Sequence, residues 1–149
     1  MGSRQLEELV NHKRVALESS VFILALEGNK DFPQASELFR VLAVARAEVF
    51  ASVLTITEVI NKSYEIGDTK RVPARLDFIH GGGRINVIDV SQAIALKAAQ
   101  LRAKYHLKTP DAIHLATAIE ANCDVFFTAD KDFQINISEV KIVHIEPTP

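Results

Sequence analysis

Val15-Ala16-Leu17-Glu18-Ser19-Ser20-Val21-Phe22-Ile23-Leu24-Ala25-Leu26, closed by Glu27-Gly28-Asn29, is the stretch on which the fold reading turns. Its first three residues are apolar and short, the signature of a buried strand. Glu18 ends that run, and Ser19-Ser20 supplies hydroxyls suited to starting a helix. Val21 to Leu26 then reads as helix, stopped where Gly28-Asn29 admits a left-handed residue. A strand that passes straight into a helix is the first half of a strand–helix–strand unit, and the same alternation recurs along the chain.

Over 32–47, Leu38, Leu42 and Ala45 recur at helical spacing, with Pro33 suited to the first turn. Val49-Phe50-Ala51 reads as a second strand, after which Ser52 caps a helix running through Glu58 to about Ile66. A further helix is expected over 68–80, entered through Pro73 and ended by Gly81-Gly82-Gly83. Residues 85–90 form a third strand. Ser91 caps an amphipathic helix carrying Ile94, Ala98, Leu101 and Tyr105. Thr109-Pro110-Asp111 opens the next helix, apolar on most sides over 112–121 and therefore central. Val125-Phe126-Phe127 is a fourth strand ending in Thr128-Ala129-Asp130, and 140–145 alternates as a fifth, edge-like strand. Strands separated by helices imply an α/β domain of three layers, a mostly parallel five-stranded sheet flanked by helices. No linker or repeat divides the 149 residues, so one domain is expected, with residues 1–13 set apart as an N-terminal extension.

Composition narrows the class. With 48% hydrophobic and 24% charged residues the chain is an ordinary globular one. At this length roughly two-thirds of the unfolded surface is buried, enough to fold without disulfides or a structural metal. The single Cys123 excludes an internal disulfide and reads as a buried, inert thiol. The net charge of −2, from 17 basic and 19 acidic residues, argues against coating nucleic acid through bulk positive charge. An enzyme that grips a polyanion through metal ions and a local basic rim is compatible with it. No apolar run reaches the ~18–20 residues of a membrane helix, and no charged-then-apolar leader opens the chain. A reducing cytoplasm and no membrane partner are the expectation.

Several familiar chemistries are absent. Gly81-Gly82-Gly83 lacks a following Lys-Ser/Thr and precedes a strand, so it reads as a turn and not a phosphate loop. Ser19 and Ser20 lack the Gly-x-Ser-x-Gly frame of a hydrolase nucleophile. No His/Cys spacing suggests zinc. His106 and His144 show no partner spacing, whereas His114, three residues after Asp111, can face a cleft as a proton carrier.

Four carboxylates stand out. In parallel sheets ligands bind outside the carboxyl ends of the strands, which directs attention to Glu18 and Asp130. Glu58 lies in a helix with few other charges, and Asp111 opens the most apolar helix. Each has a structural reading: a cap for Glu18 and Asp111, a turn for Asp130, an ion pair for Glu58. No base of matching burial is evident to neutralise all four. If the strand ends converge, the negative charges meet in one cleft, where a divalent cation would stabilise them. All-oxygen ligands favour Mg²⁺ or Mn²⁺ over Zn²⁺, and such ions activate water for phosphodiester hydrolysis.

These residues carry a resemblance. Leu17-Glu18-Ser19-Ser20-Val21-Phe22-Ile23 resembles the opening motif of PIN domains, and Ser52-Val53-Leu54-Thr55-Ile56-Thr57-Glu58-Val59 the second. Asp111-Ala112-Ile113-His114-Leu115-Ala116-Thr117-Ala118 is similar to the third, and Thr128-Ala129-Asp130-Lys131-Asp132-Phe133 to the fourth. All four stand in family order and together span most of the chain. The resemblance implies a Mg²⁺- or Mn²⁺-dependent ribonuclease cutting single-stranded RNA, nearest in size and motif to the VapC toxins of toxin–antitoxin pairs. It implies a homodimer and an antitoxin partner. Glu18, Glu58, Asp111 and Asp130 would be the metal-binding catalytic acids, Ser20 a supporting hydroxyl and Asp132 a supplementary acid. Lys108 and Lys131, which bracket the third and fourth motifs, would form a rim contacting RNA phosphates.

The first acid departs from the pattern, which has Asp where this chain has Glu18. One extra methylene moves the carboxylate by about a bond length, against a tolerance of ~0.5 Å in a built site. An attenuated enzyme, or a PIN-like module that binds RNA or a protein without cutting, therefore stands as the alternative. Two other α/β folds that use acidic sites fit the sequence less well. A phospho-accepting signalling domain needs an acidic pair after the first strand, where serines follow Glu18. A ribonuclease-H-like fold begins with an antiparallel meander, which the intervening helices exclude.

Overall fold

A computed structural model describes residues 1–149. Strands β1 (Arg14–Leu17), β2 (Glu48–Ser52), β3 (Ile85–Ile88), β4 (Val125–Thr128) and β5 (Lys141–His144) form one sheet. Their order is β3-β2-β1-β4-β5, and every neighbouring pair is parallel. β1 is central because both its faces and both its edges are covered: Val15 lies opposite Val49 on one side and Val125 on the other. β5 is the edge strand its alternating pattern predicted, half-buried along most of its length.

Seven helices cover the sheet: α1 (Ser3–Val10), α2 (Ser19–Glu27), α3 (Pro33–Val44), α4 (Leu54–Glu65), α5 (Val72–Ile79), α6 (Gln92–Tyr105) and α7 (Thr109–Glu120). Strand alternation sorts the core into two layers. Val15, Leu17, Val49, Ala51, Val125 and Phe127 face α1 to α5 and pack against Leu6, Phe22, Leu38, Val59 and Ile79. Ala16, Phe50 and Phe126 face the other way, toward Ile94 and Leu101 of α6 and Leu115 of α7. The expected three-layer α/β architecture is thus present, with a sheet that is parallel throughout.

Local chemistry sets the element ends. Gly28 takes a left-handed φ of 59° and closes α2, its N–H donating to Leu24 and Ala25 carbonyls. Ser91 Oγ accepts from Ile94 N at 3.1 Å and starts α6. The helix expected over 68–80 is divided: a single 3₁₀ turn at Thr69–Arg71 precedes α5. Pro73 stands in the first turn of α5, where its missing N–H costs nothing.

Residues 1–13, read as an extension, contain α1. Leu6 and Val10 on it are fully buried in the layer shared with α3. The signal was present in Leu6, Leu9 and Val10 at i, i+3 and i+4, opposite charged Arg4, Glu7 and Glu8. Cys123 is buried, and burial pushes its thiol up to about 12, as an inert residue requires. No helix is long and apolar enough to cross a membrane.

Candidate active site

The carboxyl ends of β1 and β4 lie side by side, and the site is built outward from that pairing. Glu18 follows β1 directly and is the N-cap of α2. Only 3% of it is exposed. A carboxylate buried so deeply needs donors, and four converge on it. Oε2 accepts from Ser20 N at 3.1 Å, from Thr128 Oγ1 at 2.9 Å and from the Ser20 hydroxyl. Oε1 accepts from Ser19 Oγ at 2.7 Å. Thr128 is the last residue of β4, brought there by the parallel register of Leu17 with Phe127.

The same hydroxyls fix the turn that carries Asp130. Ser20 Oγ accepts from Ala129 N at 2.9 Å, and Thr128 Oγ1 accepts from Asp130 N at 3.0 Å. Asp130 in turn accepts from Asp132 N at 2.9 Å, capping a 3₁₀ turn at Lys131–Phe133. Asp111 reaches the same place from the first turn of α7. Carboxylate oxygens of Asp111, Asp130 and Asp132 lie within 4.8 Å of one another. Burial, together with the negative charges of Asp130, Glu18 and Asp132, holds the Asp111 carboxyl up at about 6. Neither Asp111 nor Asp130 has a basic partner. Lys108 Nζ stands 3.6 Å from Asp132, an exposed pair worth little. Lys131 is exposed beside Asp130.

Glu58 lies on α4 with its side chain 34% exposed, and it has the partner that its structural reading offered: His114 Nε2 lies 2.7 Å from its Oε1. His114 is buried on α7, so it is a partner of Glu58 and not a proton carrier lining an open cleft. Burial pushes the Glu58 carboxyl up, but hydrogen bonds from His114 and Ser19 and the attraction of His114 outweigh it, leaving the group below its ordinary value. The acids therefore fall into two groups, Asp111 with Asp130 and Asp132, and Glu58 with His114 and Glu18.

Ser19 joins Glu18 to Glu58 within the second group and was not singled out in the sequence. Its Oγ lies 2.7 Å from Glu18 Oε1 and 2.5 Å from Glu58 Oε2. A hydroxyl has one proton and donates to one carboxylate at a time, so the second contact needs a shared proton or nearby positive charge. Thr128, which holds Glu18 and Asp130 together, was also missed. Two hydroxyls after the first strand and one closing the fourth were the available signals. The unpaired negative charge on Asp111 and Asp130, the contact at Ser19 and an all-oxygen donor set together fit a hard divalent cation.

The PIN-domain family pattern matches residues 15–136. The chain belongs to the PIN-domain family. Among solved structures, this PIN domain is similar to a toxin–antitoxin complex from Klebsiella pneumoniae, at 26% identity and a TM-score of 0.62, over 86% of this chain and 99% of that one. It is similar in fold to VapBC2 from Rickettsia felis bound to a DNA fragment from their promoter (16% identity, TM-score 0.69, 88% of this chain and 98% of that one). VapC20 from Mycobacterium tuberculosis, a sarcin-ricin loop cleaving toxin, matches 85% of this chain and 98% of its own at 17% identity and a TM-score of 0.64. No curated protein matches the sequence.

Proposed function

We propose that this PIN domain is a metal-dependent endoribonuclease hydrolysing single-stranded RNA, the toxin of a toxin–antitoxin pair. The observation that carries the reading is the Asp111–Asp130–Asp132 group, in which neither Asp111 nor Asp130 has a basic partner, set beside Glu18 at the carboxyl edge of a parallel sheet. The K. pneumoniae and VapC relatives supply the toxin context. Glu18, Asp111 and Asp130 would hold Mg²⁺ or Mn²⁺, with Glu58 completing the set of acids and Asp132 as a supplement. Such an ion, when bound, activates water and offsets charge on the phosphoryl oxygens.

The chain's own residues do the positioning. Ser20 and Thr128 hold the Glu18 carboxylate and the Asp130 backbone in one frame. His114 and Ser19 keep Glu58 fixed at the site. Lys108 and Lys131 stand at the rim, where phosphates of the RNA would pass. Residues 1–149 act as one domain in the cytoplasm, as a homodimer held in check by an antitoxin protein.

One observation favours the second reading, a weakened module that binds RNA or a protein. Four donors already engage Glu18, three of them on a single oxygen, which leaves little free capacity for a metal. One experiment separates the two. Fluorescent single-stranded RNA is incubated with the protein in Mg²⁺, Mn²⁺ or EDTA, with Asp111→Asn as control and Glu18→Asp alongside. Cleavage that requires metal and disappears in Asp111→Asn supports the nuclease. Cleavage by Glu18→Asp alone identifies a nuclease attenuated by one methylene. If no variant cuts several unrelated RNAs and calorimetry detects no metal binding, the binding module takes its place.

A further inference from the structure

A separate cavity of about 150 Å³ opens next to the acid group, where β4 and β5 leave the sheet. Phe32, Ala129, Lys131, Gln134, His144 and Glu146 line it. Two of these residues, Ala129 and Lys131, flank Asp130 in the chain. The sheet register fixes the same relation from another side: His144, last residue of β5, pairs with Thr128, whose hydroxyl holds Glu18. After β5 the chain turns back, and Thr148 donates to the Asp31 carbonyl through its N–H at 2.7 Å and its hydroxyl at 3.3 Å. That contact ties the 146–148 tail to the loop that presents Phe32.

The lining combines apolar and polar side chains. Phe32 offers an aromatic surface. The Gln134 amide carries both donors and an acceptor, and its Nε2 lies 3.4 Å from His144 Nε2. Glu146 adds an acceptor and Lys131 a cation to the lining. The volume is well below the roughly 300–1,000 Å³ of pockets for drug-sized ligands, so it suits one flat ring system, not a whole dinucleotide. Single-stranded RNA is recognised by such means: unstacked bases lie on aromatic side chains and hydrogen-bond through their edges.

We propose that this cavity is a nucleobase subsite, holding the base of a nucleotide that adjoins the phosphate at the acid group and selecting it through Gln134, His144 and Glu146. The proposal rests on the nuclease reading for its substrate class. It supplies a source of sequence preference that the acids themselves lack, because carboxylates and a metal contact only the backbone.

The test observes binding in the absence of metal. The His144 ring signals of the full chain are followed by NMR at pH 7.5 in EDTA, with His144→Gln to assign them. The four ribonucleoside 5′-monophosphates, ribose 5-phosphate and inorganic phosphate are titrated separately. The expected result is a saturable shift with at least one nucleotide, bound at least about five-fold tighter than ribose 5-phosphate, the low end of what one stacked base contributes. Gln134→Ala, an exposed change that leaves the fold intact, is expected to abolish that margin and to flatten the nucleotide preference in cleavage of a randomised RNA. Equal shifts with ribose 5-phosphate or phosphate would show an anion site on Lys131 and overturn the proposal, as would no shift at millimolar nucleotide. Cleavage without nucleotide-specific shifts removes the base subsite alone. Shifts without any RNA cleavage support the base subsite and count against the nuclease.

Discussion

His114 Nε2 lies 2.7 Å from Oε1 of Glu58, across 56 residues of sequence. The contact joins α7 to α4. It also leaves His114 Nδ1 buried without a partner, so the imidazole is held from one side only. Removing the ring is expected to empty a buried volume and strand Glu58. His114→Ala should lower stability by about 2–4 kcal/mol, measured by urea unfolding. His114→Gln, which can still donate to Glu58, should recover part of the loss. Equal stability of both variants with the parent would show that the contact contributes nothing.

Asp111 makes the metal-free protein sensitive to pH. Its folded value, about 6, lies above the ordinary 3.8. Between those values the native state keeps a proton that the unfolded chain has released, so stability falls as pH rises through that window. Glu58 acts in the opposite sense and only below its ordinary 4.5, where acid costs stability. Thermal melts in EDTA at pH 4.5 and 7 are expected to show the lower midpoint at pH 7. Asp111→Asn should shrink the difference, and Mg²⁺ should raise the midpoint at pH 7 more than at pH 4.5. A midpoint that rises from pH 4.5 to 7 in EDTA would contradict the assignment.

If α1 belongs to the domain core, a single truncation on it carries a core-sized cost. Leu6 is fully buried against the layer of α3. Leu6→Ala is expected to destabilise by about 2–5 kcal/mol, whereas the exposed Glu8→Ala on the same helix should change little. Denaturant unfolding compares the two, and similar small effects would mark α1 as an appendage.

Gly81 and Gly82 both take positive φ, 54° and 64°, but differ in their surroundings. A Cβ on Gly81 would stand 2.7 Å from Ile85 Cγ1, while one on Gly82 meets open space. Gly82→Ala should cost only the left-handed strain, about 1–2 kcal/mol. Gly81→Ala adds a clash with a core residue and should lower the melting temperature further.

Much of the fold is legible in local patterning. Short apolar runs at 15–17, 49–51 and 125–127 separated by helical periodicity can be satisfied only by a buried parallel sheet with helices on both faces, because such strands expose no polar side. Pro33, Ser91 and Gly28 mark element ends through backbone conformation, a property of each residue and its neighbours. The carboxyl-edge rule then selects Glu18 and Asp130 without any knowledge of distant contacts. α1 is equally legible, since Leu6, Leu9 and Val10 recur at i, i+3 and i+4 opposite charged residues.

Pairings between distant segments belong to the tertiary structure. That Glu58 meets His114, that Thr128 holds Glu18 across 110 residues, and that Ser19 bridges two carboxylates depend on which strands become neighbours and in what register. A carboxylate's partner is chosen by distances of 2.5–3 Å set jointly by several elements, and a linear chain carries no measure of such distances. The sequence by itself determined the alternation of buried strands and amphipathic helices, and which acids stand at strand and helix ends. Only the packed sheet decided which of those acids keep an uncompensated charge, because charge balance is settled by neighbours in space.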